Sequence, residues 1–136
     1  YLCGLESPDE EIYRSFRPGG DSLKDRINTL RWTGEMGLKL WSGFLVGLGE
    51  TDDHIAAGLW LLKDLDVDSV SILPFIPVPH TAMWHENPAN PLGWARAMAI
   101  ARIYLEKPEI FSDQTEGLYA EYGALGGANG HYIFPR

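Results

Sequence analysis

The chain has 136 residues, with 11 Lys and Arg against 19 Asp and Glu, and a formal charge of −8. Hydrophobic residues make up 45% of it, enough to bury the core of one domain, so a disordered chain is excluded. The acidic balance argues against nucleic acid and anionic membrane surfaces as partners. No run approaches the roughly 18 apolar residues of a spanning helix. The single cysteine, Cys3, cannot form an internal disulfide, which favours a cytoplasmic location.

The first segment is the apolar run 1–5, which is typical of the end of a buried strand. Because the chain begins at Tyr1 rather than at Met, we expect it to be a fragment, either a processing product or a deliberate truncation. Ser7 followed by Pro8 predicts an N-cap and a short helix. The sequence Arg-Pro-Gly-Gly at 17–20 ends that helix.

The next elements predict a helix, a strand and a second helix start. Ser22 with Asp25 predicts a capped helix over residues 22–36, and Gly37 suits its left-handed C-terminal position. Residues 38–46 are almost continuously apolar, as in a strand covered on both faces. A glycine turn follows, and Thr51 caps the next helix.

The remaining part of the chain continues the alternation of strands and helices. Residues 68–76 predict a strand with an irregular, proline-rich end. Asn90 before Pro91 predicts the start of a helix over 91–105. One face of this helix should be buried, namely Ala95, Met98, Ala99 and Ile103. Short strands are predicted at 109–112 and 131–134, with a glycine-rich stretch over 113–130 between them.

Strands that alternate with helices predict an α/β fold with a parallel sheet and right-handed crossovers. Two arrangements compete. A doubly wound open sheet would be complete at this length, whereas a (βα)8 TIM-type barrel needs roughly 200 residues or more. Because the first strand lacks its beginning, the sequence favours half of a barrel.

Parallel α/β folds bind ligands at the carboxyl ends of their strands, so the residues that follow each strand are the candidates for chemistry. Glu6 follows the first strand, where it could accept from ribose hydroxyls or an ammonium group, or serve as a cap or ion-pair partner. Gly47 and Gly49 form a turn whose N–H groups could hold an anion or a nucleoside edge, or that merely needs positive φ.

Arg26 lies in the first turn of its helix, where a cation is mildly unfavourable. Its guanidinium could pair with a carboxylate or phosphate of a ligand, or form a surface ion pair. The four histidines have no pattern typical of a metal site, so no metal is predicted. Core burial is expected for all tryptophans except Trp41 and Trp84, which could reach the site.

Several short motifs follow one another in a fixed order. They are Leu5-Glu6-Ser7, Tyr13-x3-Arg17-Pro18-Gly19, Ser22-Leu23-x-Asp25-Arg26, Ser42 to Thr51 (SGFLVGLGET), Leu65 to Val70 (LDVDSV), Pro74-Phe75-Ile76-Pro77-x-Pro79-x-Thr81 and Gly127-Ala128-Asn129. With them, the whole chain resembles the C-terminal half of a radical S-adenosylmethionine enzyme of the biotin synthase-like group. The [FeFe]-hydrogenase maturation enzymes are the nearest branch, and biotin synthases stand a little further away. The resemblance implies that residues 1–136 are the C-terminal half of a radical-SAM barrel domain.

The resemblance also implies roles for individual residues. Gly43 to Glu50, with Gly47, match the glycine motif whose backbone near Leu45 lies against the adenine of S-adenosylmethionine. Glu6 matches the residue at the ribose or methionyl end, and Arg26 matches the partner of the methionine carboxylate. The adenosyl pocket would be lined by Phe75, Ile76 and Pro77. Substrate would be held by Ser112, Gln114 and Thr115, although the sequence SDQTEG departs from the family's patterns.

Enzymes of this family use a [4Fe–4S] cluster on three cysteines to cleave S-adenosylmethionine reductively. The resulting 5′-deoxyadenosyl radical abstracts hydrogen from a substrate, in cofactor or metabolite biosynthesis. This chain has only Cys3, so the cluster ligands must lie outside it, and we expect the chain alone to bind no cluster and to be inactive. The expected partners are the missing N-terminal half of the barrel and a small-molecule substrate.

Two other functions are compatible with the residues alone. The chain could be a non-catalytic α/β domain that binds a nucleotide or an anion. A barrel enzyme of the aldolase type is disfavoured, because no lysine lies at a strand end as a Schiff-base candidate.

Overall fold

The computed structural model describes residues 1–112 and 117–131. The helices are α1 Glu10–Phe16, α2 Leu23–Glu35, α3 Asp52–Asp64, α4 Pro91–Leu105 and α5 Gly117–Leu125. The strands are β1 Trp41–Val46, β2 Ser69–Pro74, β3 Glu109–Ser112 and β4 Gly130–His131. None of the helices within the described ranges is both long and apolar enough to cross a membrane.

The four strands form one parallel sheet in the order β1-β2-β3-β4. Residues 2–6 run parallel beside β1 and extend the sheet, with bridges from Leu2 to Trp41 and from Glu6 to Phe44. The N–H of Leu5 donates to the carbonyl of Gly43 at 2.8 Å. The α/β class and the parallel sheet predicted from the sequence are confirmed.

The order of the strands decides how the sheet is wound. Neighbouring strands follow one another along the chain without a reversal. Right-handed crossovers in one direction place the connecting helices on one face, whereas a doubly wound sheet reverses its order. The described strands therefore have the arrangement of part of a (βα)8 barrel, but they do not by themselves close into one.

The two faces of the sheet are covered differently. In β2, Val70 and Ile72 are fully buried on the helix side, while Ser71 and Leu73 are only partly buried on the other side. We call this second side the open face; its side chains come from the first strand and from Trp41, Leu45, Ser71, Leu73 and Phe111. Among the described residues, only the helix side of the sheet is covered. The cover on both faces that buried parallel strands predict would have to come from outside these residues.

Three of the predicted helix starts are confirmed by cap hydrogen bonds. Ser22 forms a capping box with Asp25, Thr51 caps α3, and Asn90 caps α4. The start of α1 was placed wrongly at Ser7. The N-cap is Asp9, whose carboxylate accepts from the N–H of Ile12 at 2.8 Å, while the Ser7 hydroxyl accepts from Asp9.

The glycine-rich stretch 113–130 contains a helix, α5, that the sequence did not predict. Gly123, in the middle of this helix, is a site of close packing rather than a break. A Cβ on Gly123 would lie 3.0 Å from atoms of both Ser112 and Trp94, so glycine lets α5 approach β3 and α4. The last strand covers Gly130–His131, and the remainder of the predicted 131–134 strand lies outside the described residues.

The predicted core needs correction on the outer helix surfaces. Trp94 is fully buried and its indole N–H donates to the carbonyl of Ile72 at 2.8 Å. Trp32 and Trp60, expected in the core, are each 63% exposed, and Ile103 is 77% exposed. Periodicity along one helix cannot separate the face that meets the sheet from a neighbouring apolar face in solvent.

Candidate functional site

A cavity of about 320 Å³ lies on the open face, between the first strand and β2. It is lined by Leu2, Gly4, Glu6, Trp41, Ser42, Gly43, Phe44, Leu45, Ser71 and Leu73. Three of the residues predicted to hold a cofactor, Glu6, Gly43 and Leu45, therefore come together here. Trp41 lines the cavity too, as its place in a strand suggested.

Glu6 stands at the carboxyl end of the first strand in a strained conformation. Its φ is +66°, a region that residues with a side chain rarely adopt. The N–H of Ser7 donates to the carbonyl of Leu5 at 2.8 Å, which closes a tight turn around Glu6. The turn ends the pairing with β1 and fixes the carboxylate at the rim of the cavity.

Arg26 is held by protein groups on both sides. Its Nη1 donates to Glu6 Oε1 at 3.0 Å and to the carbonyl of Gly4 at 2.6 Å. Its Nε donates to Asp21 Oδ2 and to the Tyr13 hydroxyl, both at 2.9 Å. Only 12% of the side chain is exposed, so Arg26 is part of a largely buried network.

The rest of this network involves Tyr13 and Asp21. The Tyr13 hydroxyl donates to Asp21 Oδ1 at 2.9 Å. This hydrogen bond, together with Arg26, holds the pKa of Asp21 below its ordinary value, while burial raises the pKa of Tyr13. The charges of two arginines and two carboxylates balance within the cluster, because Arg17 also contacts Glu6 Oε1, at 3.2 Å.

A second, wider groove of about 530 Å³ adjoins the cavity. It is lined by Glu6, Phe16, Arg17, Pro18, Gly19, Gly20 and Leu45. Glu6 and Leu45 belong to both linings, so the Glu6 carboxylate stands where the two spaces meet. A ligand that extends from the cavity into the groove would pass this carboxylate and the half-exposed Arg17.

The glycines of the motif 43–50 are required by the packing of the sheet and by the turn that follows β1. A Cβ on Gly43 would overlap the carbonyl oxygen of Ser71, so β2 itself requires glycine there. Gly47 has a φ of +104°, and a Cβ added to it would lie only 2.6 Å from the Cβ of Ala89. The N–H groups of Gly47 and Leu48 both donate to the Glu50 carboxylate at 2.7 Å. The turn therefore binds the carboxylate of Glu50 rather than an anion of a ligand. Gly47 lines neither the cavity nor the groove.

The segment Phe75 to Pro77 continues from the end of β2. The Phe75 N–H donates to the carbonyl of Val46, and its carbonyl accepts from Ala89, each at 2.8 Å. These bonds keep the segment close to the carboxyl end of the sheet. Its three residues do not line the cavity; Ser71 and Leu73 of β2 do so instead.

The predicted substrate residues are not grouped with Glu6. Ser112 is fully buried on the helix side, against Gly123 of α5, and is absent from the cavity lining. Its hydroxyl has no hydrogen-bond partner among the described residues. Gln114 and Thr115 lie outside the described residues.

Sequence reasoning missed several residues that line or support the site, namely Leu2, Tyr13, Arg17, Asp21, Ser71 and Leu73. A signal for Ser71 was present in β2, where Ser69 and Ser71 alternate with Val70 and Ile72, whereas the apolar Leu73 carried none. Tyr13 and Arg17 stood in a recognised motif without an assigned role. Asp21 follows a glycine pair and carries no local signal.

Metal-ligating side chains are scattered. Within the part of the chain that the structure describes, no three His, Cys, Asp or Glu side chains are grouped so that they could hold a metal ion. His80 and His85 instead lie beside Trp84, with ring centroids 4.8 and 5.8 Å from its ring.

Known proteins are similar to most of this chain. A biotin synthase from Nitratidesulfovibrio vulgaris is 34% identical over 127 residues, which are 88% of this chain and 35% of that protein. The [FeFe] hydrogenase maturase subunit HydE of Thermotoga maritima is 34% identical over 111 residues, 81% of this chain and 32% of that protein. A biotin synthase from Agrobacterium fabrum is 30% identical over 122 residues, 82% of this chain and 35% of its own length.

The chain spans about a third of the length of these curated relatives. No family model matches it. The relatives are the two kinds of protein that the motifs indicated, so the resemblance found in the sequence is confirmed.

Proposed function

We propose that this chain, a relative of the radical S-adenosylmethionine enzymes of the biotin synthase-like group, is the C-terminal half of such an enzyme's barrel domain. The complete enzyme would cleave S-adenosylmethionine reductively to a 5′-deoxyadenosyl radical for hydrogen abstraction in cofactor or metabolite biosynthesis. A cytoplasmic location goes with this function. Its N-terminal half would supply the cysteines of the [4Fe–4S] cluster, since this chain has only Cys3.

The single observation that carries the proposal is the meeting of Glu6, Gly43 and Leu45 at one cavity on the open face. These residues were assigned to the cofactor from motifs that lie some 40 positions apart in the sequence. A mostly apolar cavity of about 320 Å³ with a carboxylate at its rim fits the adenosine part of the cofactor. Leu45 and the Gly43 backbone would contact the adenine, and Glu6 would accept from the ribose hydroxyls.

The groove beside Glu6 fits the amino-acid end of the cofactor, which carries an ammonium group and a carboxylate. Glu6 offers a negative charge, and Arg26 and Arg17 offer positive charges at the same point. The described hydrogen bonds of Arg26 use Nε and Nη1, so Nη2 has no partner among the described residues. We keep Arg26 as the residue for the methionine carboxylate. Phe75 to Pro77 lie near the carboxyl end of the sheet but outside the cavity lining, so they would contact the adenosyl group only where it extends beyond the cavity.

What these residues do is bind, orient and exclude water. The strained turn at Glu6 holds its carboxylate in one place before any ligand arrives, which lowers the entropic cost of binding. The apolar side chains of the open face would shield reactive chemistry from solvent once the other half of the barrel covers them.

The test is anaerobic reconstitution of the full-length protein with iron and sulfide, followed by measurement of 5′-deoxyadenosine and methionine. We expect both products to form with a reductant and S-adenosylmethionine. If S-adenosylmethionine binds but no 5′-deoxyadenosine forms, the chain belongs to a binding protein, and the proposed activity is wrong.

A binding measurement on the same protein tests the site. Glu6→Gln should weaken S-adenosylmethionine binding about tenfold or more, because a charge-assisted hydrogen bond contributes roughly 1.5–3 kcal/mol. Glu11→Gln is the matched control, since Glu11 is an exposed carboxylate on α1, away from the cavity lining. Equal affinities in the two variants would remove Glu6 from the site.

A further inference from the structure

Arg17 uses only part of its guanidinium group in contacts with the protein. Its Nη1 donates to Glu6 Oε1 at 3.2 Å, while Nε and Nη2 donate to no group among the described residues. The face of the guanidinium lies over the Tyr13 ring, with Cζ 6.0 Å from the centroid, which helps to fix its orientation. The side chain is 39% exposed and lines the groove. Arg17 can therefore bind a further anion through two N–H groups without giving up Glu6.

The loop after Arg17 adds no side chain beside these two N–H groups. A Cβ added to Gly20 would lie 3.9 Å from Nε, so glycine keeps this position open. Phe16 and Leu45 are the apolar residues of the groove lining, and Pro18 and Gly19 complete it on the side of the loop. Apolar contacts beside an available guanidinium suit a short aliphatic chain that ends in a carboxylate.

Arg26 has less of its guanidinium available than Arg17. Its Nε and Nη1 each donate to two acceptors of the protein. Only 12% of its side chain is exposed, and it lines neither the cavity nor the groove. Among the described contacts only Nη2 remains for a ligand, so Arg26 leaves the bidentate contact that a carboxylate prefers to another residue.

The two oxygens of Glu6 divide the contacts of the protein from those of a ligand. Arg17 and Arg26 both donate to Oε1. Oε2 accepts no hydrogen bond from the described residues, so it is available to the cofactor while Arg17 stays on Oε1. A negative oxygen and the free N–H groups of Arg17 thus lie on either side of one ion pair, which fits the two opposite charges of an α-amino acid.

We propose that Arg17 is a specificity-determining residue of this site, and that its Nε and Nη2 bind the α-carboxylate of the ligand alongside Arg26. The inference rests on the proposed function, since it takes S-adenosylmethionine as the ligand. The cavity and Glu6 hold the adenosine part and the ammonium group, which a decarboxylated ligand also carries. Arg17 adds the contact that only the complete amino-acid end can make.

The experiment titrates the reconstituted full-length protein by calorimetry with two compounds. One is S-adenosylmethionine, and the other is decarboxylated S-adenosylmethionine, which keeps the adenosine, the sulfonium and the ammonium group. Arg17→Ala should weaken binding of S-adenosylmethionine about tenfold to a hundredfold, because a charge-assisted bidentate pair is lost. The decarboxylated compound should bind to Arg17→Ala as well as to the parent or better, since Arg17 only repels its ammonium group.

Two further variants separate this contact from charge and from folding. Arg17→Lys keeps the positive charge but loses the planar pair of N–H groups, so it should recover only part of the affinity. Arg14→Ala is the matched control, since Arg14 is an exposed arginine of α1 that pairs with Glu10, and it should change neither affinity. Thermal unfolding of each variant, and its affinity for the decarboxylated compound, show that it is folded.

Two results would overturn the proposal and leave the proposed function standing. One is equal affinity of the parent and Arg17→Ala for S-adenosylmethionine. The other is an equal loss of affinity for both compounds in Arg17→Ala, which would mean that Arg17 acts only by holding Glu6. A parent that binds neither compound refutes the proposed function, and this inference with it.

Discussion

Glu6 has a strained backbone and a charged, partly buried side chain. It combines a positive φ, two guanidinium groups on one carboxylate oxygen and a place in the linings of two adjoining spaces. Strained residues of this kind persist where the surroundings over-determine them, and they cluster at ligand sites. Its sequence position after a strand predicted the location, but its φ and its partners depend on Arg17 and Arg26, which local patterns could not place.

The family resemblance makes Ser112 a substrate residue, whereas the structure buries it away from the cavity. Its hydroxyl is buried without a hydrogen-bond partner among the described residues, a situation that costs about 1–3 kcal/mol. We therefore expect Ser112→Ala to leave the free energy of unfolding unchanged or to raise it by up to about 1 kcal/mol. Thermal and urea unfolding of the full-length protein measure this. A variant that is equally stable but has lost substrate turnover would restore Ser112 as a substrate residue.

Asp21 should make stability depend on acid pH. Hydrogen bonds from Tyr13 and Arg26 hold its pKa below the ordinary 3.8 in the folded protein. The unfolded chain therefore binds the proton first, and stability from this group is complete above about pH 4 and lost as pH falls through the folded pKa. Asp21→Asn should lower stability at neutral pH and flatten the acid limb of the profile.

The control for Asp21 is Asp53→Asn, which alters an exposed carboxylate in the first turn of α3. Urea unfolding between pH 2.5 and 7 compares the variants with the parent. If both variants shift the acid limb equally, the network around Arg26 does not stabilise the ionised form of Asp21.

At the scale of elements, the sequence predicted what short-range physics decides. The caps at Ser22, Thr51 and Asn90 depend on side chains within three residues, so all three starts were predictable. Helix α5 was not, because the role of Gly123 depends on its packing against Ser112 of β3 and Trp94 of α4, which no local pattern shows. The exposed Trp32 and Trp60 were misjudged for the same reason, since burial is decided by neighbouring elements.

The cap of α4 offers a test at this scale. The Asn90 side-chain carbonyl accepts from the N–H groups of Leu92 and Gly93 at 3.0 and 3.1 Å. Asn90→Ala should lower the free energy of unfolding by about 1 kcal/mol, the usual value of an N-cap. Asn87→Ala, in the exposed loop before the helix, is the matched control and should change stability by less than about 0.5 kcal/mol. Equal losses in both variants would mean that the loop, not the cap, sets stability here.

At the scale of the whole molecule, the described helices cover one face of the sheet and not the other. The sequence predicted parallel strands and a ligand site at their carboxyl ends, and the convergence of Glu6, Gly43 and Leu45 agrees with that geometry. It could not predict that Leu73 would join them, because an apolar residue that continues an apolar strand carries no sign of the face it lies on. Strands that are apolar on both faces fit a complete barrel, in which a second half covers the open face.

The open face and the first strand should make the isolated 136-residue chain self-associate. Among the described residues, the first strand pairs on one side only, with β1, and Leu2 on it is 63% exposed. Unpaired strand edges and uncovered apolar faces favour association. Light scattering at micromolar concentration should therefore show dimers or larger species.

Leu2→Lys should shift these species toward monomer by placing a charge at the edge of the sheet. The control Leu92→Lys, at a leucine on α4 that is 66% exposed, should not. Mixing the chain with the proposed N-terminal half of the barrel should replace self-association by a one-to-one complex. A compact monomer of the parent chain, or equal effects of the two lysines, would show that the open face needs no cover.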